Sequence, residues 1–200
     1  MDDCGVCFGY NADIDNCGVC FGENQDMDDC GVCFGGNYGD SDGDGICNAE
    51  DSSPFGEIEL SFGVASENSI NIEYVSSVAL GGYKFRVEGV ELLDIEDPSG
   101  SMMFALSDGL VFGLSQDAPL PAGTGVLNIL TFTPLVTGSE ISLTEVVFND
   151  VAANELLLTG PPLSVIPPCE NTDGDNSCNS IDPWPQCFDS GSDPYDDCGI

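Results

Sequence analysis

The stretch DSDGDGICNAED, residues 40–51, sets oxygen-bearing groups at fixed intervals. Asp40, Asp42 and Asp44 stand at positions 1, 3 and 5. Gly45 follows at 6, the Ile46 carbonyl at 7, Asn48 at 9 and Asp51 at 12. A glycine permits the sharp turn that lets alternating oxygens converge on one centre, and a shell of that spacing suits calcium. NTDGDNSCNSID, residues 171–182, repeats the arrangement with Asn171, Asp173, Asp175, Ser177, Asn179 and Asp182. Calcium is the cofactor expected. Position 12 is Asp in both stretches, a shorter arm than Glu, which points to a weaker or differently shaped site.

Half of the same pattern recurs earlier. NADIDNCGVCFGE and NQDMDDCGVCFGG align without gaps, and MDDCGVCFGY is the second half of a third copy. These units offer Asn11, Asp13 and Asp15, then Asn24, Asp26 and Asp28, at the 1, 3, 5 spacing. They are half-loops that need oxygens from a neighbouring repeat or from backbone carbonyls. MDDCGVCFG opens the chain, returns at 27–35, and YDDCGI stands at the end. The 200 residues are therefore expected to be a window on a longer repeating chain.

Eleven Cys accompany the acids. C-x2-C-x9-C-x2-C has the look of a zinc site, but zinc would not explain acids at calcium spacing beside each pair. A redox CxxC belongs at a helix start in an α/β domain, which this segment cannot form. Disulfides fit better, because a unit this short needs staples, metal or both. Pairing the second Cys of each repeat with the first of the next gives Cys7–Cys17, Cys20–Cys30 and Cys33–Cys47. The tail gives Cys169–Cys178 and Cys187–Cys198, with Cys4 left over. Closure of each CxxC on itself is the alternative. The Cys at position 8 of each long loop, Cys47 and Cys178, stands where calcium hands of the EF-hand type usually have an apolar residue; a disulfide would replace that packing.

These residues resemble thrombospondin type-3 repeats and the related Cys-Asp-Gly repeats of secreted bacterial proteins, over 1–51 and more loosely over 169–200. The resemblance implies a backbone wrapped on calcium, little regular secondary structure and disulfides in series. Phe8, Phe21 and Phe34 depart from it, standing where Gly is common. They either pack on the next repeat or form an exposed row that docks a neighbouring molecule or a sugar.

Composition sets the frame. Thirty-six Asp and Glu face two Lys and Arg and no His, a formal charge of −34. Such a surface repels nucleic acid and anionic lipid. No apolar run approaches 18 residues, so no membrane insertion is expected. Without His, and with a single Lys, catalysis would need a distinct carboxylate pair, and none stands out; no enzyme is expected. Many Cys and hardly any Lys indicate a secreted, oxidising setting.

Three parts emerge: Cys/Asp-rich repeats over 1–53, a Cys-free apolar domain over 55–167, and a second loop and disulfide segment over 168–200. Pro54, Pro161, Pro162, Pro167 and Pro168 mark stiff joins. The middle reads as strands at 57–62, 69–75, 82–89, 110–115, 125–133 and 140–148. Ile58, Leu60 and Phe62 share one face, as do Ile70, Ile72 and Tyr74, and Tyr83, Phe85 and Val87. That pattern predicts an all-β antiparallel sandwich. LGGYKFRVEGVELL, SDGLVFGLS, APLPAGTGVLNILTF and VVFNDVAANEL resemble the cohesin domain, which implies a nine-stranded jelly roll over 56–166. Lys84 and Arg86, the only cations, should face outward and pair with Glu73 on the preceding strand or dock a carboxylate-rich loop of another subunit. Trp184 would wedge the joint or stack on a sugar.

The reading is a structural subunit of a cell-surface fibre or stalk, assembling end to end with copies of itself or with tandem neighbours. Cell-surface glycans are a further candidate partner. The alternative is a cohesin-type module, binding protein or glycan, presented on a calcium-stiffened stalk.

Overall fold

Alternation of apolar and polar residues is what a strand with one buried face requires, and the middle of the chain follows it. In the computed structural model, residues 1–28, 30–34, 39–100, 102–115, 118–160, 163–183 and 185–186 are described, with backbone alone for 102–107. The chain divides into two units, Met1–Gly56 and Glu57–Ile200.

The second unit holds ten strands among the described residues: β1 (Glu57–Phe62), β2 (Ser69–Ser76), β3 (Leu80–Glu88), β4 (Leu92–Glu96), β5 (Met102–Ser107), β6 (Leu110–Ser115), β7 (Gly123–Phe132), β8 (Ser139–Asp150), β9 (Leu157–Thr159) and β10 (Ser164–Ile166). They form two five-stranded sheets, ordered β4-β7-β2-β1-β9 and β10-β8-β3-β6-β5. The protein is thus an all-β sandwich. Pairing is antiparallel except where β9 runs parallel to β1, Ile58 opposite Leu158. That one parallel pair joins a three-residue strand to the edge of an otherwise antiparallel sheet, and four strands are added to the six read from sequence.

The inward faces are those expected. Ile58, Leu60, Ile70, Ile72 and Tyr74 from one sheet meet Tyr83, Phe85, Ile141 and Phe148 from the other, all buried. The Tyr83 ring stacks between Phe85 and Phe148, with centroids 5.6 and 5.5 Å away. Burial pushes its phenol up to about 12. Gly113 leaves room for that ring, since a Cβ there would run into it.

The first unit has no strand among its described residues. It is a series of turns closed by short hydrogen bonds. Each CGVC opens with a Gly in the left-handed region, Gly5, Gly18 and Gly31, which only glycine enters freely. Isolated bridges join Ile14 to Cys20 and Met27 to Cys33, so each turn doubles back on the acidic stretch before it.

Candidate metal sites and the disulfide ladder

In the first long loop, one carboxylate oxygen each from Asp40, Asp42 and Asp44 lies within 4.8 Å of the others. Backbone donors aim them. Asp40 accepts from Gly43 N at 2.7 Å on Oδ1 and from Gly45 N at 2.9 Å on Oδ2, and Asp44 Oδ1 accepts from Ile46 N at 2.7 Å. Gly43 and Gly45 take φ of 80° and 91°, which the tight winding demands. Asp51 is fixed by its N–H on the Cys47 carbonyl at 2.9 Å. Its Oδ1 accepts from Ser53 N, while its Oδ2 is buried with no hydrogen-bond partner among the described residues. Burial, with the like charges of Asp44, Asp51 and Asp40, pushes the Asp42 carboxyl up; the Asp44 N–H opposes.

The second long loop repeats this frame. Asp173, Asp175 and Asp182 bring oxygens within 4.8 Å of one another. Asn171 Oδ1 accepts from Gly174 N at 2.8 Å, Ser177 N donates to Asp175 Oδ1 at 2.6 Å, and Asp182 N donates to the Cys178 carbonyl at 2.9 Å. Asp175 is buried, and Asp173 Oδ2 is a second buried oxygen with no hydrogen-bond partner among the described residues. A buried carboxylate oxygen left unpaired is costly. The all-oxygen donor set and the orphaned oxygens fit a hard cation in both loops.

Two expected ligands brace the loops. Asn48 Oδ1 accepts from Ser41 N at 2.9 Å and its Nδ2 donates to Ser41 Oγ at 2.7 Å. Asn179 does the same to Thr172 at 2.9 and 2.7 Å. Position 9 therefore pins the loop closed against position 2. The hydroxyl at position 2 in both loops was the sequence signal for it. Ile46 and Ser177 at position 7 each donate N–H to the carboxylate two residues back.

The shorter repeats use their acids as turn braces. Asp15 Oδ1 accepts from Cys17 N and Val19 N, both at 2.9 Å, and Oδ2 from Asn24 N at 3.0 Å. The Val19 N–H is the largest cause holding the Asp15 carboxyl below its usual range. Asp28 Oδ1 braces Cys30 and Val32 in the same way. Asn11 and Asn24 accept from the N–H groups of Asp3 and Asn16. Asp13 and Asp26 accept on their carbonyls from Phe21 N and Phe34 N. No three acids converge among the described residues of these repeats.

The disulfides differ from the expected order. They are Cys4–Cys20, Cys17–Cys33, Cys30–Cys47 and Cys169–Cys178. The first Cys of one repeat bonds the second Cys of the next, and Cys30 bonds Cys47 of the long loop, in place of Cys7–Cys17, Cys20–Cys30 and Cys33–Cys47. The reason is the reversal within each CGVC turn. It lays Cys20 beside Ile14 and Cys33 beside Met27, so the later Cys faces the earlier repeat. Cys7, and not Cys4, is left unbonded and exposed. Both position-8 residues, Cys47 and Cys178, are bonded, and Cys178 is buried. Cys187, Cys198 and Trp184 lie outside the described residues. Four disulfides place the chain in an oxidising, extracellular or cell-surface setting.

Arg86 pairs with Glu145, not Glu73. Its Nε lies 2.8 Å from Glu145 Oε1, and its Nη1 donates to the Asp108 carbonyl at 2.8 Å. β2 and β3 belong to opposite sheets, so Glu73 is not a cross-strand neighbour. A bulge on β8 between Thr144 and Val147, with Glu145 at φ 52°, aims its carboxylate at Arg86. Hydrogen bonding to that guanidinium holds the Glu145 carboxyl low. Lys84 lines a neighbouring open cavity of about 680 Å³ with Phe112, Leu114, Val147 and Val151.

None of the described residues forms a helix long and apolar enough to cross a membrane. No protein-family model and no curated protein matches the chain. Solved structures similar to it include a type I cohesin–dockerin complex from Clostridium thermocellum, 17% identical, TM-score 0.42, covering 52% of this chain and 88% of that one. A non-cellulosomal cohesin from Archaeoglobus fulgidus is 13% identical, TM-score 0.41, with 52% and 85% covered. The cohesin module of a family 33 glycoside hydrolase from Clostridium perfringens is 14% identical, TM-score 0.38, with 56% and 93% covered.

Proposed function

We propose that the chain is a structural subunit of an extracellular fibre or stalk, in which calcium-loaded, disulfide-laced segments hold a β-sandwich and join end to end with further copies or tandem neighbours. The observation that carries this reading is the duplicated loop: three convergent acids, a buried unpaired carboxylate oxygen, a position-9 asparagine pin and a disulfide at position 8, found in both units. Asp40, Asp42, Asp44 and Asp51 would hold one calcium, and Asn171, Asp173, Asp175 and Asp182 the other. Bound calcium would cancel the repulsion that the gathered carboxylates otherwise exert.

The ladder supports a spacer role. Each rung ties a repeat to the next across 16 or 17 residues, limiting bending without a hydrophobic core. Its free position, Cys7, suits a further rung from an adjoining repeat. The test is imaging of purified protein with and without millimolar calcium. Fibres that form with calcium and fall apart in chelator are expected. Single units at high concentration in calcium would sink the assembly reading.

One observation favours a second reading, a protein-binding module on a stiff stalk. The outer face of β8, β3 and β6 combines the open cavity, exposed Phe112 and Leu114, and the only two cations of an otherwise acidic chain. Capture of a partner protein that Lys84→Glu abolishes, with no fibres formed, would select it.

A further inference from the structure

We propose that the aromatic row of the repeats is a binding surface for a neutral polysaccharide. Phe8, Phe21 and Phe34 recur at an interval of 13 residues. Their φ angles are 62°, 59° and 60°, a region where an L side chain is strained and glycine is free. The backbone there is set by the fold: Phe21 N and Phe34 N donate to the carbonyls of Asp13 and Asp26. Glycine would meet that demand without strain. Yet bulky rings stand at all three places and remain 87%, 65% and 69% exposed. Packing within the described chain does not offset the strain, so the rings serve a contact outside it.

The surroundings of the rings select the ligand. Phe8 and Tyr10, with Asp2, Asp3 and Asn11, wall a shallow cavity of about 410 Å³, within the usual range for small ligands. Tyr10 is 88% exposed. Asp2 already accepts from the N–H groups of Cys4, Val6 and Asn11. Such carboxylates are fixed acceptors with spare lone pairs, suited to hydroxyl donors rather than to a mobile ion pair. Asp15 and Asn24 stand in the same frame in the repeat of Phe21. A ring face beside fixed acceptors matches a pyranose, whose CH face is apolar and whose rim carries hydroxyls.

Charge narrows the choice. Residues 1–53 hold thirteen Asp and Glu and no Lys or Arg, which repels anionic polymers and the same row of a second copy. Equal rings at a constant interval suit a ligand that itself repeats, because weak contacts then add by avidity. A neutral polysaccharide has all of these properties. The proposal goes beyond the fibre reading and is tested on single chains, so the two stand or fall separately.

The experiment co-sediments the 200-residue chain, in calcium, with amorphous cellulose and with chitin. Phe8→Gly, Phe21→Gly, Phe34→Gly and the triple variant are run beside it, with disulfide mapping and protease resistance as checks on the fold. Glycine suits the backbone, so these variants should keep the ladder and resist protease as well as the parent or better. The parent should sediment with at least one polymer. Each single change should weaken binding about threefold to tenfold, and the triple change should abolish it. No sedimentation with either polymer would overturn the proposal. So would a triple variant that binds like the parent, a chain that pellets equally without polysaccharide, or Gly variants that lose the native disulfides, which would make the rings structural.

Discussion

Asn48 and Asn179 show how one side chain can brace a loop from a position that the spacing assigns to a ligand. Both stand at position 9 of a long loop, and both hydrogen-bond the residue at position 2 through their amide. Asn48→Ala should therefore lower calcium affinity about tenfold, as loss of a residue that orients ligands does. Asp42→Ala should cost more, and calorimetric titration of both variants separates the roles. Acid spacing was legible because oxygens must recur at fixed intervals to converge. Disulfide order was not, because it depends on which way each turn folds back, and no residue type records that. Digestion of unreduced protein should link the peptide of Cys4 to that of Cys20. Recovery of Cys7 bonded to Cys17 would contradict the ladder.

At the level of elements, β1, β2 and β3 were readable because each buries one face and leaves the other wet. β4 buries little beyond Ile95, so its pattern is faint. β9 and β10 have three residues each, too few for any period to show. The wrong partner for Arg86 has a topological cause: sequence neighbours β2 and β3 cross between sheets. Phe85 is fully buried in the sandwich, and Phe85→Ala should cost about 3–5 kcal/mol in denaturant unfolding. Gly89 stands at φ 91° with its Cβ direction blocked by the Glu140 carbonyl. Gly89→Ala should destabilise the β3–β8 pair by more than about 1 kcal/mol, while Gly100→Ala, at φ 64° in open space, should cost less. Equal losses at the two glycines would remove the backbone-clash argument.

Across the whole molecule, two stabilising strategies divide the chain. The sandwich rests on a continuous apolar core, whereas the repeats have turns, disulfides and gathered acids and almost no core of their own. A charge of −34 repels itself in a compact state, and acids converge in the two long loops. On the proposed function, calcium holds those loops while the sandwich stands without it. The most direct measurement is hydrogen exchange of the intact chain in millimolar calcium and in chelator. Amides of 39–53 and 169–182 should lose protection when calcium is removed, and those of β1 to β8 should not change. Identical exchange of the loops in both conditions, or loss of the sandwich together with them, would contradict it.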